Sequence, residues 1–143
     1  MIVLDTNVVS ELMKASPDPS VLAWIDGLPG TTVFVSAITR AEILYGIALV
    51  PDGKRRHRLE QAAHTAFETY FRGRILPFDS EAADAFAPLA ASHRQAGQPI
   101  SLPDAQIAAI ARSRGAELAT RNVADFKGCG VTMINPWDTT GRS

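Results

Sequence analysis

The chain of 143 residues carries a single cysteine, Cys129, and only three histidines, His57, His64 and His93. One thiol excludes an internal disulfide, and so few scattered imidazoles leave no zinc-type ligand set. Any bound metal is therefore expected to sit among oxygens. An excess of charge of either sign is also missing: 14 Lys and Arg stand against 15 Asp and Glu, a net of −1. That balance gives no global attraction to nucleic acid, so such a partner would have to be held by local basic patches and by the metal itself. No apolar run approaches the roughly 20 residues that cross a bilayer. The opening Met1-Ile2-Val3-Leu4-Asp5 has no basic region and meets an acid too early for a signal peptide. A cytoplasmic location without membrane attachment is the expectation. Aromatic residues are few, and Trp24 and Trp137 read as core or interface rather than as platforms for bases.

What is present is an ordinary globular balance, 46% hydrophobic and 20% charged, suited to one domain over residues 1–137 with a frayed tail at 138–143. Ile2-Val3-Leu4 reads as a short strand closed by Asp5, and Thr6-Asn7 supplies capping chemistry for a helix over residues 8–14. Pro17 and Pro19 break the chain before Val21, Leu22, Ile25 and Leu28 recur at helical spacing. Residues 32–35 form a β-branched and aromatic run ending at Ser36, followed by a helix over 37–49. After the turn Pro51-Asp52-Gly53, Leu59, Ala63, Ala66, Phe67, Tyr70 and Phe71 share one face of a long amphipathic helix. A strand over 74–78 follows, then a helix capped by Ser80 and stopped at Gly97, then a helix opened by Pro103 and ended by Gly115. The last strand candidates are 117–120 and 131–134, on either side of a short helical turn over 123–126. Four or five strands alternating with helices predict an α/β fold, a mostly parallel sheet flanked by helices on both faces.

In open parallel sheets ligands bind beyond the carboxyl ends of the strands. Asp5, Ser36, Thr120, Arg121 and Asn122 all follow strands and are placed on that edge by topology. Asp is also a favoured helix cap, which is the alternative for Asp5. Glu42 lies in a helix that is apolar almost all round and so is expected to be mostly buried. Ile38, Tyr45 and Leu49 put the acid on an apolar stripe, where a carboxylate needs an ion pair, with Arg40 or another arginine, or a metal. Asp104 shares its face with Ile107, Ala108 and Ala111; an acid favoured by the helix dipole is its other reading. If the three acids converge, charges 4 Å apart repel by roughly 4 kcal/mol per pair at an effective dielectric near 20. A hard divalent cation answers that repulsion, and an all-oxygen set favours Mg²⁺ or Mn²⁺ over zinc. Phosphodiester hydrolysis is the reaction such an ion serves. Arg40 and Arg121, beside these positions, are candidates for gripping a nucleic acid. The basic run Lys54-Arg55-Arg56-His57-Arg58 reads either as phosphate contacts or as a solvated face.

Leu4-Asp5-Thr6-Asn7-Val8-Val9-Ser10-Glu11, Arg40-Ala41-Glu42-Ile43-Leu44-Tyr45-Gly46, Pro103-Asp104-Ala105-Gln106-Ile107-Ala108-Ala109, Ala119-Thr120-Arg121-Asn122-Val123-Ala124-Asp125-Phe126 and Asn135-Pro136-Trp137 occur in this order along nearly the whole chain. Together they resemble the PIN-domain family, and within it the VapC-type toxins of bacterial toxin–antitoxin modules. The resemblance implies a PIN-like fold, a homodimer, an acidic Mg²⁺ pocket made by Asp5, Glu42 and Asp104, and endoribonuclease activity restrained by a cognate antitoxin. Many relatives place a fourth acid where this chain has Asn122, an amide that still accepts through its carbonyl oxygen but leaves a second metal site short of charge. Asp125, three residues on, is the candidate to replace it. Asp5 and Asp104 are then expected to bind the metal, with Glu42 binding it or orienting the attacking water, and Thr6, Ser36, Thr120 and Asn122 holding the carboxylates in place. The alternative from another class is a catalytically silent module that keeps the fold to dock a protein or nucleic acid.

Overall fold

The computed structural model describes residues 1–138; most of the tail expected to fray, 139–143, lies outside the described residues. The chain runs β1 (Ile2–Leu4), α1 (Thr6–Leu12), α2 (Pro19–Asp26), β2 (Val33–Ser36), α3 (Ala37–Ala48), α4 (Lys54–Thr65), β3 (Ile75–Leu76), α5 (Ser80–Gln95), α6 (Leu102–Ser113), β4 (Glu117–Ala119) and β5 (Met133–Ile134). A π turn, Ala66–Tyr70, extends α4, and a 3₁₀ turn, Val123–Phe126, follows β4. The five strands form one sheet in the order β3-β2-β1-β4-β5, every neighbouring pair parallel. Parallel neighbours require crossovers, and six helices supply them and cover both faces, as the alternation of strand and helix predicts.

Period-two alternation divides β1 between two cores. Ile2 and Leu4 join Val8, Val9, Val21, Ile43, Ile47, Phe67 and Phe71 on the face of α1 to α4. Val3 points the other way, to Leu89, Ile107, Ile110, Leu118 and Phe126 on the face of α5 and α6. All three β1 residues are buried, so the strand reads as a continuous apolar run that ends where the chain leaves the sheet.

The structure corrects several local expectations. α1 starts at Thr6 because Asp5 itself is the cap, its carboxylate accepting from the Thr6 N–H. The cap of α5 is Asp79 rather than Ser80: its carboxylate reaches the Ala82 N–H at 2.9 Å, leaving Ser80 as the first helical residue. The strand expected over 74–78 keeps two residues, because Pro77 has no N–H to donate to a ladder. The largest departure is α3. Only Thr39, Ile43 and Ile47 are buried, while Leu44, Tyr45 and Leu49 stand open to solvent.

Candidate active site at the sheet edge

The strand order reverses direction between β1 and β4: β2 and β3 lie on one side of β1, β4 and β5 on the other. Crevices form at such a reversal, beyond the carboxyl ends of the two strands. Leu4 pairs with Val35 and with Ala119, so Asp5, Ser36 and Thr120 leave the sheet side by side.

Asp5 is 3% exposed and both oxygens of its carboxylate accept hydrogen bonds. One oxygen accepts from the Thr6 N–H at 2.8 Å; the other accepts from the Thr120 hydroxyl at 2.8 Å and the Asn7 amide at 3.0 Å. Burial nevertheless pushes its carboxyl up from 3.8 to about 6. The Thr120 and Thr6 hydrogen bonds pull it down, and the charges of Asp104 and Glu42 add to the rise. Thr120, fully buried, also accepts from the Asn122 N–H at 3.0 Å, and Asn7 accepts from the Arg121 N–H at 3.3 Å. Side chains from both sides of the reversal thus tie the β4 exit to the start of α1.

Glu42 comes from α3 and is half-buried. The Thr6 hydroxyl donates to it at 2.6 Å, and Thr6 stands 3.0 Å from the Thr39 hydroxyl. Ser36 caps α3 by accepting from the Thr39 N–H at 3.0 Å. The ion pair of Glu42 with Arg40, open on the sequence, is not made: Arg40 pairs with Glu68 at 3.0 Å and lies over the Phe67 ring. Two residues turn a helix by about 200°, so the arginine faces the π turn while the acid faces α1. Arg40 is thereby directed away from the acids. Arg121 lies over the Trp137 ring, its guanidinium carbon 4.9 Å from the centroid.

Asp104 sits in the first turn of α6, whose cap, Ser101, accepts from the Asp104 N–H at 3.3 Å. Burial raises its carboxyl above the ordinary value, the Ser101 hydroxyl lowers it, and the charges of Glu42 and Asp125 raise it further. Asp5, Glu42 and Asp104 therefore share one field, and Asp125, although exposed, belongs to it through Asp104. Asn122 is exposed, and its side chain does not cap the 3₁₀ turn that follows. Among the described residues, no three carboxylate, imidazole or thiol groups stand close enough to one point to ligate an ion as they lie. Ligation by Asp5, Glu42 and Asp104 requires their side chains to turn toward one another. The donor set itself, hard oxygens in a shared negative field, suits a Mg²⁺-like ion.

Sequence reasoning missed two residues here. Asn7 offers itself as capping chemistry alone, yet it bridges Asp5 and the Arg121 backbone. Thr39 is a polar residue in an apolar helix, three positions after a capping serine, and that spacing was its available signal.

A buried acid at the reversal point of a short parallel sheet, with further acids delivered by α3 and α6, defines a class. Residues 2–127 match the family model of the PIN domain, and the chain belongs to the PIN-domain family. Within that family it is 45% identical over 138 residues to VapC ribonuclease Y4jK of Sinorhizobium fredii (strain NBRC 101917 / NGR234), spanning 96% of this chain and 99% of that one. It is 39% identical over 137 residues to toxin FitB of Neisseria gonorrhoeae (strain ATCC 700825 / FA 1090), spanning 96% and 99%. A solved structure of FitAB bound to an IR36 DNA fragment superposes with a TM-score of 0.90 at 37% identity, covering 100% of both chains.

Proposed function

We propose that this chain is the toxin of a toxin–antitoxin pair, a cytoplasmic endoribonuclease dependent on Mg²⁺, with Mn²⁺ as a substitute, and silenced by a cognate antitoxin. The observation that carries the reading is Asp5: a carboxylate 3% exposed, lifted to about 6, in the field of Glu42 and Asp104 at the sheet's reversal point. A relative named a ribonuclease and another named a toxin, each matched over 96% of this chain, support the activity and the role. The FitAB assembly supports a protein partner.

Asp5, Glu42 and Asp104 would hold the metal, with Asp125 and the Asn122 carbonyl oxygen available to a second ion. A divalent cation bound there supplies positive charge for a phosphate under attack and acidifies a water. The chain's own groups do the rest. Thr120, Asn7 and the Thr6 N–H fix the Asp5 carboxylate, and the Thr6 hydroxyl fixes Glu42 with Thr39 and Ser36 behind it. Residues 1–137 act as one unit. The open apolar face of α3, Leu44, Tyr45 and Leu49, is read as the contact with a second copy, giving a homodimer.

The test is cleavage of single-stranded RNA with Mg²⁺ and with a chelator, for the wild type, Asp5→Asn and Asp104→Asn. Loss of cleavage to background in the chelator and in both variants is expected. Cleavage by either variant at the wild-type rate would remove the assignment.

A further inference from the structure

Two cavities lie against α4 and meet. The first, about 520 Å³, starts at Thr6 and Glu42 and is bordered by Lys14, Arg55 and Arg58. The second, about 590 Å³, continues to Tyr70. Met13, Arg58 and Ala62 line both, so a single trough leads away from the acidic edge along α4. Arg55 and Tyr70 are 15 residues apart, about 22 Å along the helix axis at 1.5 Å per residue.

The cations in and around this trough are engaged unequally. Arg40, Arg56 and Arg114 are each paired with a carboxylate, and Lys14 with Glu11. Arg55 and Arg58 make no ion pair among the described residues, although Glu60 lies on the same helix and takes Arg56 instead. At the far end Tyr70 is 45% exposed, its ring packed edge-to-face with Phe71 at 4.7 Å and with the Arg74 guanidinium lying over it, 5.4 Å from the centroid. An exposed aromatic side chain at one end of a trough and unpaired guanidinium groups at the other are elements with which proteins hold single-stranded nucleic acid: phosphates on the cations, a base on the ring. Asp26 is the carboxylate of the second cavity, and it lines a stretch in which Arg58 supplies the opposite charge.

We infer that this trough is the track for single-stranded RNA, with phosphates on Arg55 and Arg58 and a base on Tyr70, leading the strand to the Glu42 end. This rests on the ribonuclease reading and adds to it the residues that position the substrate. The basic run 54–58 is then divided by function: Arg55 and Arg58 face the trough, while Arg56 is paired with Glu60.

The test is fluorescence anisotropy of a labelled single-stranded RNA 12-mer with wild-type protein in EDTA, where no cleavage intervenes, over a series of salt concentrations. An Arg55→Gln/Arg58→Gln protein is expected to bind at least tenfold more weakly, with the slope of log K against log salt reduced by about 1.4, near 0.7 for each lost phosphate contact. Arg56→Gln is expected to match the wild type. Tyr70→Ala is expected to weaken binding several-fold without changing the slope, and Tyr70→Phe to restore it. Arg55 and Arg58 are exposed, so an unchanged circular dichroism melt checks the fold. Wild-type slope and affinity in the double variant, or no RNA binding by the wild type, would overturn the inference. So would loss of binding confined to a protein partner, which would make the trough a peptide groove. A wild type that cleaves RNA beside a double variant with unaltered KM would sink the track and leave the ribonuclease standing; a wild type that binds through the trough without cleaving would do the reverse.

Discussion

At the scale of single residues, Asp5 combines two roles that the sequence offered as alternatives. It caps α1 through one oxygen and stands in the acidic field through the whole group. A carboxyl at about 6 in the fold and near 3.8 outside it binds its proton more tightly when folded. Its contribution to stability is present below about pH 4 and is lost as pH rises through about 6. The rise from 3.8 to about 6 amounts to about 3 kcal/mol. Asp5→Asn is therefore expected to melt no lower than the wild type above pH 6, with its relative advantage shrinking toward pH 4. Thermal melts at several pH values in chelator measure this, and an advantage that grows on acidification would contradict it. Thr120→Val has the opposite sign. It keeps the shape but removes a donor to a buried carboxylate and the acceptor of the Asn122 N–H, a loss of about 1–3 kcal/mol readable in urea unfolding, accompanied by slower RNA cleavage. The sequence disclosed Asp5 and Thr120 because each follows an apolar strand, whereas the bridge made by Asn7 depends on the β1 and β4 exits lying side by side, a long-range fact that local pattern does not contain.

At the scale of elements, boundaries were legible where chemistry is local and illegible where packing decides. Gly97 and Gly115, which end α5 and α6, have positive φ of 71° and 63°, the left-handed conformation that favours glycine as a stop. For α3, composition misled: apolarity all round predicts burial only if both faces find partners, and its outer face does not. α5 carries a second departure from local rules, Pro88 at an exposed position inside the helix. A proline there removes an intrahelical hydrogen bond and crowds the carbonyl of Asp84, four residues back, offset in part by a stiffer unfolded chain. Pro88→Ala is expected to stabilise the protein by about 1–2 kcal/mol, seen as a higher midpoint in urea with unchanged cleavage. Asp79→Ala in the same helix removes its cap and the 3.6 Å contact with Arg114 and is expected to cost about 1 kcal/mol.

At the scale of the whole molecule, one arrangement makes the rest intelligible. β1 sits centrally, and the chain builds outward from it first to one side and then to the other, so residues more than 100 positions apart in sequence meet at its end. The same topology uses α1 and α2 to cover one face and directs the outer side of α3 away from the sheet. Three large apolar side chains remain in solvent there: Leu44 at 46%, Tyr45 at 67% and Leu49 at 66% exposed. Single exposed apolar residues need no explanation, but three within six positions, on the last turn of α3 and at its C-terminal cap, form a patch of the kind that marks an interface. If a second copy covers it, Tyr45 is the side chain with most to bury, since aromatic residues near the centre of an interface carry much of its binding energy. Sedimentation equilibrium at micromolar concentration is then expected to give a dimer. Tyr45→Glu should weaken association at least thirtyfold, about 2 kcal/mol, while leaving the melting of the monomer unchanged, because a residue already open to solvent loses no packing within its own chain. A wild type that sediments as a monomer, or a Tyr45→Glu dimer as tight as the wild type, would separate this face from self-association.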